Sequence, residues 1–260
     1  MNKTGTFKKN KSHRGIYILP NIFTSLNLFC GFYAVIASID RKFVAAAIAV
    51  IIGVMFDILD GKIARATKTT SKFGTEYDSL ADLISFGLAP GVMIYLWALK
   101  PLGRIGWLAA FLFMACGALR LARFNSQVGI VSSDYFAGLP IPAGAGMLAT
   151  TVLFCNRFNI ANVHPILVLV LLYVLSFLMV STIRYNSFKK PELFKRINFN
   201  VLVAMILIFI FIASQPPIAL FFLGLAYVIS GPFVAMRRYR RAKLTNSGAR
   251  GVNEHGSSSI

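Results

Sequence analysis

The feature that most constrains this chain is a succession of apolar stretches, each close to the roughly 20 residues a helix needs to cross a hydrocarbon core. They fall near residues 18–39, 43–65, 76–98, 105–124, 138–155, 164–183, 197–214 and 216–236, with short polar segments between them. In lipid, backbone N–H and C=O groups have no water to bond, so spanning segments satisfy them internally as helices. A composition 57% hydrophobic and only 14% charged excludes an ordinary soluble domain of 260 residues. The expected fold is all-α and membrane-integral, with about eight transmembrane helices.

Basic residues set the orientation. The chain carries 27 Lys and Arg against 9 Asp and Glu, a net charge of +18. The positive charges sit in short clusters between apolar runs, which points to an anionic membrane surface and away from nucleic acid. Lys and Arg accumulate in cytoplasmic loops. With the N-terminus inside, 22 of the 27 fall on the inner side and 5 on the outer, and shifting one span would invert every later loop. Both termini are therefore expected in the cytoplasm. Residues 1–15 read as a flexible basic tail, 16–236 as one transmembrane domain, and 237–260 as a basic segment passing into a polar, disordered tail. The first apolar run contains Pro20, Asn21 and Asn27 and is too long for a cleaved leader.

Cys30, Cys116 and Cys155 all lie within apolar runs, without paired spacing, and the three histidines are scattered. The chemistry must rest on the acids, and five of the nine (Asp57, Asp60, Glu76, Asp78, Asp82) share one stretch. Asp57, Asp60, Gly61, Ala64 and Arg65 recur at intervals of 3–4 on one face of the second helix. Gly74, Asp78 and Asp82 do the same at the start of the third. The polar segment from Thr67 to Lys72 can turn the chain back so that these faces meet. An ionised Asp at membrane depth costs about 2.5–3.5 kcal/mol on insertion scales, and neighbouring carboxylates repel one another. Positive charge must sit among them. Arg65 supplies one unit, and a tight set of oxygen ligands suits hard divalent cations, two Mg²⁺ or Mn²⁺ ions being the economical answer. Gly61, Ala64 and Gly74 let a flat guest such as a nucleotide approach the helix backbones, although small residues also serve helix packing. Intramembrane acids are equally diagnostic of a cation or proton-coupled transporter, whose sites lie near the midplane; here they cluster at the inner end of two helices.

The pattern Asp57-x₂-Asp60-Gly61-x₂-Ala64-Arg65-x₈-Gly74-x₃-Asp78-x₃-Asp82 resembles the complete signature of the CDP-alcohol phosphatidyltransferase family. The resemblance covers roughly the first six helices, about 18–183, which would form that family's core, with 197–236 as two additional helices. It implies that a CDP-linked lipid binds with its diphosphate on two metal ions. Asp57, Asp60 and Asp78 match the metal ligands, and Asp82 the metal-proximal general base and a possible fourth ligand. Gly61, Ala64, Arg65 and Gly74 match positions lining the cytidine diphosphate pocket. Ala118–Asn125, Gly138–Ala143, Ser181–Tyr185, and Pro20-Asn21 with Thr24 resemble the phosphatidylserine synthase branch. That implies CDP-diacylglycerol and L-serine as substrates, with Asn21 and Thr24 beside the CDP-lipid and a homodimeric enzyme in the cytoplasmic membrane. Serine carries a carboxylate, which a guanidinium fork suits. Arg120, Arg123, Asn125 and Arg184 are the candidates, against the reading that such arginines merely anchor helix ends at an anionic surface. Glycerol 3-phosphate, inositol or an archaeal-type CDP-lipid remain alternative substrates.

Overall fold

The computed structural model describes residues 18–67, 71–127, 135–160, 163–186, 203, 207, 210 and 214–255. The expected tail at 1–15, most of the 197–214 span and the basic pair Lys189 and Lys190 lie outside them. Among the described residues, seven helical rods carry the fold: α1 (Ile18–Ile39), α2 (Phe43–Thr67), α3 (Lys72–Leu102), α4 (Arg104–Gln127), α5 (Ile141–Arg157), α6 (Pro165–Val180) and α7 (Pro216–His255). Among the described residues, five of these are long and apolar enough to cross a membrane: α1, α2, α3, α4 and the Pro216–Met236 part of α7. The molecule is a helical, multi-pass membrane protein. Its outer surface is correspondingly apolar, with Phe29, Phe32, Leu119, Leu167 and Phe177 all exposed.

Three features of the backbone add detail to this frame. The apolar window at 138–155 yields a helix of 17 residues, because Gly138 (φ +83°) and Pro140 hold the preceding backbone out of the helix. The Gly138 N–H donates to Ile183 O at 2.9 Å and that of Leu139 to Leu178 O at 2.9 Å, tying this irregular start to the end of α6. A Cβ on Gly138 would collide with the Met179 carbonyl oxygen. Secondly, an antiparallel ribbon accompanies the helices: β1 (Tyr135–Ala137) pairs with β2 (Arg184–Asn186), Phe136 opposite Tyr185. Thirdly, the α7 backbone is helical to His255, within the 237–260 segment. The Arg-, Ala- and Lys-rich strip after Met236 favours helix and carries the run onward.

α1 packs along α2 and α3 through a narrow seam. Its buried positions Thr24, Asn27, Gly31, Ala34 and Ser38 recur every 3–4 residues, and α2 answers with Ala46, Ala47, Ala49 and Gly53. Small side chains let helix backbones approach in a membrane, where packing replaces the hydrophobic drive. Gly31 sits so close to α3 that a Cβ there would lie 2.6 Å from Ser85 Cα. The larger apolar residues Phe86, Met93, Phe113, Leu148 and Leu172 fill the core between α3, α4, α5 and α6. The polar end of the α1–α2–α3 seam holds the acids.

Candidate metal centre and nucleotide pocket

Asp57 and Asp60 lie near the C-terminal end of α2, and Gly74 and Asp78 in the first two turns of α3. The start of α3 is fixed locally. Ser71 takes an extended conformation, and its Oγ accepts from the Gly74 N–H at 3.0 Å, satisfying one of the free donors of the first turn. This cap sets the rotation of α3 and turns Asp78 toward α2. Carboxylate oxygens of Asp57, Asp60 and Asp78 then fall within 4.8 Å of one another.

The cluster is only partly compensated, three carboxylates standing near one cation, Arg65. No salt bridge reaches it among the described residues, where the one ion pair is Lys42 with Asp40 at the other end of α2. Asp78 Oδ1 is buried and has no hydrogen-bond partner among the described residues. Thr24 Oγ1 donates to Asp60 Oδ2 at 3.1 Å, a bond that orients one carboxylate without neutralising it. Three converging carboxylates with an orphaned buried oxygen match the hard-oxygen donor set of a divalent cation.

Beside the cluster opens a cavity of about 170 Å³. All six residues that the sequence assigns to the CDP-lipid line it: Asn21, Thr24, Gly61, Ala64, Arg65 and Gly74. Asp60 and Asp78 form its acidic wall. The Arg65 guanidinium folds over Gly61, whose absent Cβ would stand 3.7 Å from it. A Cβ on Gly74 would stand 3.2 Å from Ser71 Oγ and 3.6 Å from Asn21 Oδ1, inside the space of the cavity mouth. The glycines thus keep a small pocket open between a cation and three carboxylates, as a phosphorylated guest bridged to metal requires.

Asp82 stands apart from the three-carboxylate group. One helical turn beyond Asp78, it is buried and accepts a bond from Asn27 Nδ2 at 3.1 Å. The residues expected to meet the acceptor separate in the structure. Arg120 is partly buried, its Nε lacks a partner among the described residues, and the charges acting on it include Asp82 and the phenol of Tyr227 on α7. Arg123 donates to Val180 O at 3.2 Å and Ser181 O at 3.4 Å, capping the C-terminus of α6. Asn125 donates to Ser79 Oγ at 3.0 Å, tying α4 to α3. Arg184 lies in β2, paired with Ala137. Of Arg120, Arg123 and Asn125, Arg120 is the one with a buried side-chain donor left without a partner among the described residues. Sequence reasoning gave Asn27 no role at the site, although an amide inside an apolar helix, one turn from Thr24, is the signal that marks it.

Fold and site together define a class: a multi-pass membrane protein whose carboxylate cluster and adjoining pocket suit a divalent cation and a phosphorylated guest. The model of CDP-alcohol phosphatidyltransferases matches residues 17–177, and the chain belongs to that family, whose members use divalent metal. Among curated proteins it is 40% identical over 197 residues to a CDP-diacylglycerol–serine O-phosphatidyltransferase of Helicobacter pylori, covering 75% of this chain and 83% of the relative. The Bacillus subtilis protein of the same description is 36% identical over 172 residues, 66% of this chain and 92% of the relative. An archaetidylserine synthase of Methanothermobacter thermautotrophicus is 37% identical over 171 residues, 64% and 69% of the two chains.

Proposed function

We propose that the protein transfers a phosphatidyl group from CDP-diacylglycerol to the hydroxyl of L-serine, releasing CMP. The observation that carries this reading is the meeting of the Asp57, Asp60 and Asp78 carboxylates beside one pocket lined by all six nucleotide-side residues; relatives described as serine transferases supply the acceptor. Asp57, Asp60 and Asp78 would hold two divalent cations, Mg²⁺ or Mn²⁺, with Asp82 near enough in sequence to share in the site. When bound, the cations supply charge neutralisation at the diphosphate. Asn21, Thr24, Gly61, Ala64, Arg65 and Gly74 seat the cytidine diphosphate. Arg120 receives the serine carboxylate, and Asp82 takes the serine hydroxyl proton as that oxygen attacks the phosphorus bearing the diacylglycerol; the bond to the CMP oxygen breaks in line. Arg123, Asn125 and Arg184 frame this side of the site, the first two through the bonds that fix α6 and α3.

The membrane frame follows the charge distribution: eight spans, both termini and the acidic pocket on the cytoplasmic side of the cell membrane, with residues 16–236 as one catalytic domain. Single cysteines at Lys68 and Lys100, with the three native cysteines removed, should label from the cytoplasm and from outside respectively. The family resemblance also implies a homodimer, which crosslinking in native membranes checks.

An alcohol panel tests the reaction. Purified protein with CDP-diacylglycerol and Mg²⁺ is given serine, glycerol 3-phosphate or inositol, and the lipid product is identified. Serine is expected to be the acceptor; product with another alcohol alone would reassign the substrate while leaving the chemistry. A CDP-linked ether lipid belongs in the same panel because of the archaeal relative.

A further inference from the structure

α1 holds a buried amide whose placement the pocket itself does not explain. Asn27 is completely buried, and its Nδ2 donates to Asp82 Oδ1 at 3.1 Å. Its own Oδ1 is buried and without a partner among the described residues. That oxygen faces the α2 backbone: a Cβ on Gly53 would lie 3.1 Å from it. A half-satisfied buried amide is destabilising, and an isosteric leucine would exchange the orphan at Asn27 Oδ1 for one at Asp82 Oδ1. The fold therefore keeps at Asn27 a group whose one side-chain bond serves Asp82.

The neighbouring contacts show what the amide holds. Ser85 Oγ donates to the Asn27 backbone oxygen at 2.9 Å, and Gly31, one turn along α1, lets Ser85 pack against the α1 backbone. Asp82 and Ser85 are three residues apart on α3 and face Asn27 and Gly31, four apart on α1. Immediately after Asp82 the helix widens into a π-helical turn, Leu83–Leu88. Such turns are a usual place for a functional side chain to be re-aimed, and they leave its rotation to be fixed by a neighbour.

We infer that Asn27 is a positioning residue for Asp82: its amide N–H pins one carboxylate oxygen, so that the other is presented to the acceptor hydroxyl. This rests on the reading of Asp82 as the base. The role is geometric, since Asn27 lines neither the nucleotide cavity nor the three-carboxylate cluster. A misplacement of about 1 Å can cost on the order of 100-fold in rate.

The test compares Asn27→Leu, Asp82→Asn and the double variant in the full-length membrane protein. Asn27→Leu should lower kcat with serine about 10- to 100-fold. Mg²⁺ dependence and CDP-diacylglycerol binding should stay near wild type, while thermal stability should fall modestly, because Asp82 Oδ1 loses its buried donor. On the Asp82→Asn background it should cost nothing more, because its partner has already lost its function. Wild-type kcat in Asn27→Leu, a loss that multiplies in the double variant, or a parallel loss of metal dependence would each overturn the inference. If Asp82→Asn alone turns over normally, the base assignment falls first, so the two failures are separable. Should Asn27→Leu not accumulate, Gly53→Ala decides: its Cβ pushes the amide by a few tenths of an ångström. A several-fold drop in kcat with unchanged nucleotide binding is then expected, and unchanged kcat overturns the proposal.

Discussion

The two ends of α2 offer cavities of opposite character. At its start, a space of about 710 Å³ opens among Arg41, Lys42, Phe43, Trp97, Val152 and Asn156. At its far end, the pocket beside Asp60 and Asp78 measures about 170 Å³. The larger one has a compensated polar lining: Lys42 pairs with Asp40 at 3.3 Å, and Arg41 and Lys42 are exposed. In the smaller, three carboxylates face one cation, Arg65, with no ion pair among the described residues, and Asp78 Oδ1 is buried without a partner among them. Volume therefore does not locate the chemistry in this molecule. On the proposed function, uncompensated polarity does, because in an apolar setting a fold retains it only against a stability cost.

The sharpest way to break this contrast is to neutralise the small pocket. Asp57→Asn, Asp60→Asn or Asp78→Asn should each reduce turnover by about 10³-fold or more, since metal-borne charge stabilisation is worth several kcal/mol. The protein should still insert, and relief of carboxylate repulsion should keep its stability equal or raise it. Turnover assays beside thermal unfolding in detergent check both halves. Asp82→Asn should come next, losing about 10²–10⁴-fold in kcat while retaining Mg²⁺-dependent CDP-diacylglycerol binding. An equal loss of binding in Asp82→Asn and Asp78→Asn would make Asp82 a fourth ligand.

A smaller effect is expected at Arg120. Removing a charge-assisted bond costs about 1.5–3 kcal/mol, so Arg120→Ala should raise the KM for serine about 10- to 100-fold and leave the KM for CDP-diacylglycerol unchanged. Initial rates over both substrates separate the two. At the other end of α2, Asn156→Ala and Trp97→Phe should leave turnover within about twofold. A loss there comparable with the carboxylate variants would show that the larger cavity takes part.

The acids were legible because an apolar helix makes each carboxylate conspicuous, and their 3–4 spacing already places them on one face. The positions of α1, α2 and α4 were legible for the same reason of periodicity and length. The fifth helix starts three residues inside its apolar window, at Ile141, because the positive φ at Gly138 and the hydrogen bond it makes near the end of α6 depend on tertiary contact. The β1–β2 ribbon is three residues a side and closes between segments nearly 50 residues apart, too short to carry a strand pattern. The structure also distinguishes among the arginines where spacing could not. Arg120 and Arg123 look equivalent in sequence, yet Arg123 is engaged at the α6 carbonyls while Arg120 keeps an open donor.

The most direct test of the central claim measures CMP and lipid product together, in wild type and in Asp78→Asn. Wild-type protein with CDP-diacylglycerol, serine and Mg²⁺ should release CMP and form phosphatidylserine in equal amounts, neither appearing without the divalent ion, and Asp78→Asn should form neither while inserting normally. Equal product from Asp78→Asn and wild type, or full turnover in the presence of a chelator, would contradict a transfer reaction centred on the carboxylate cluster.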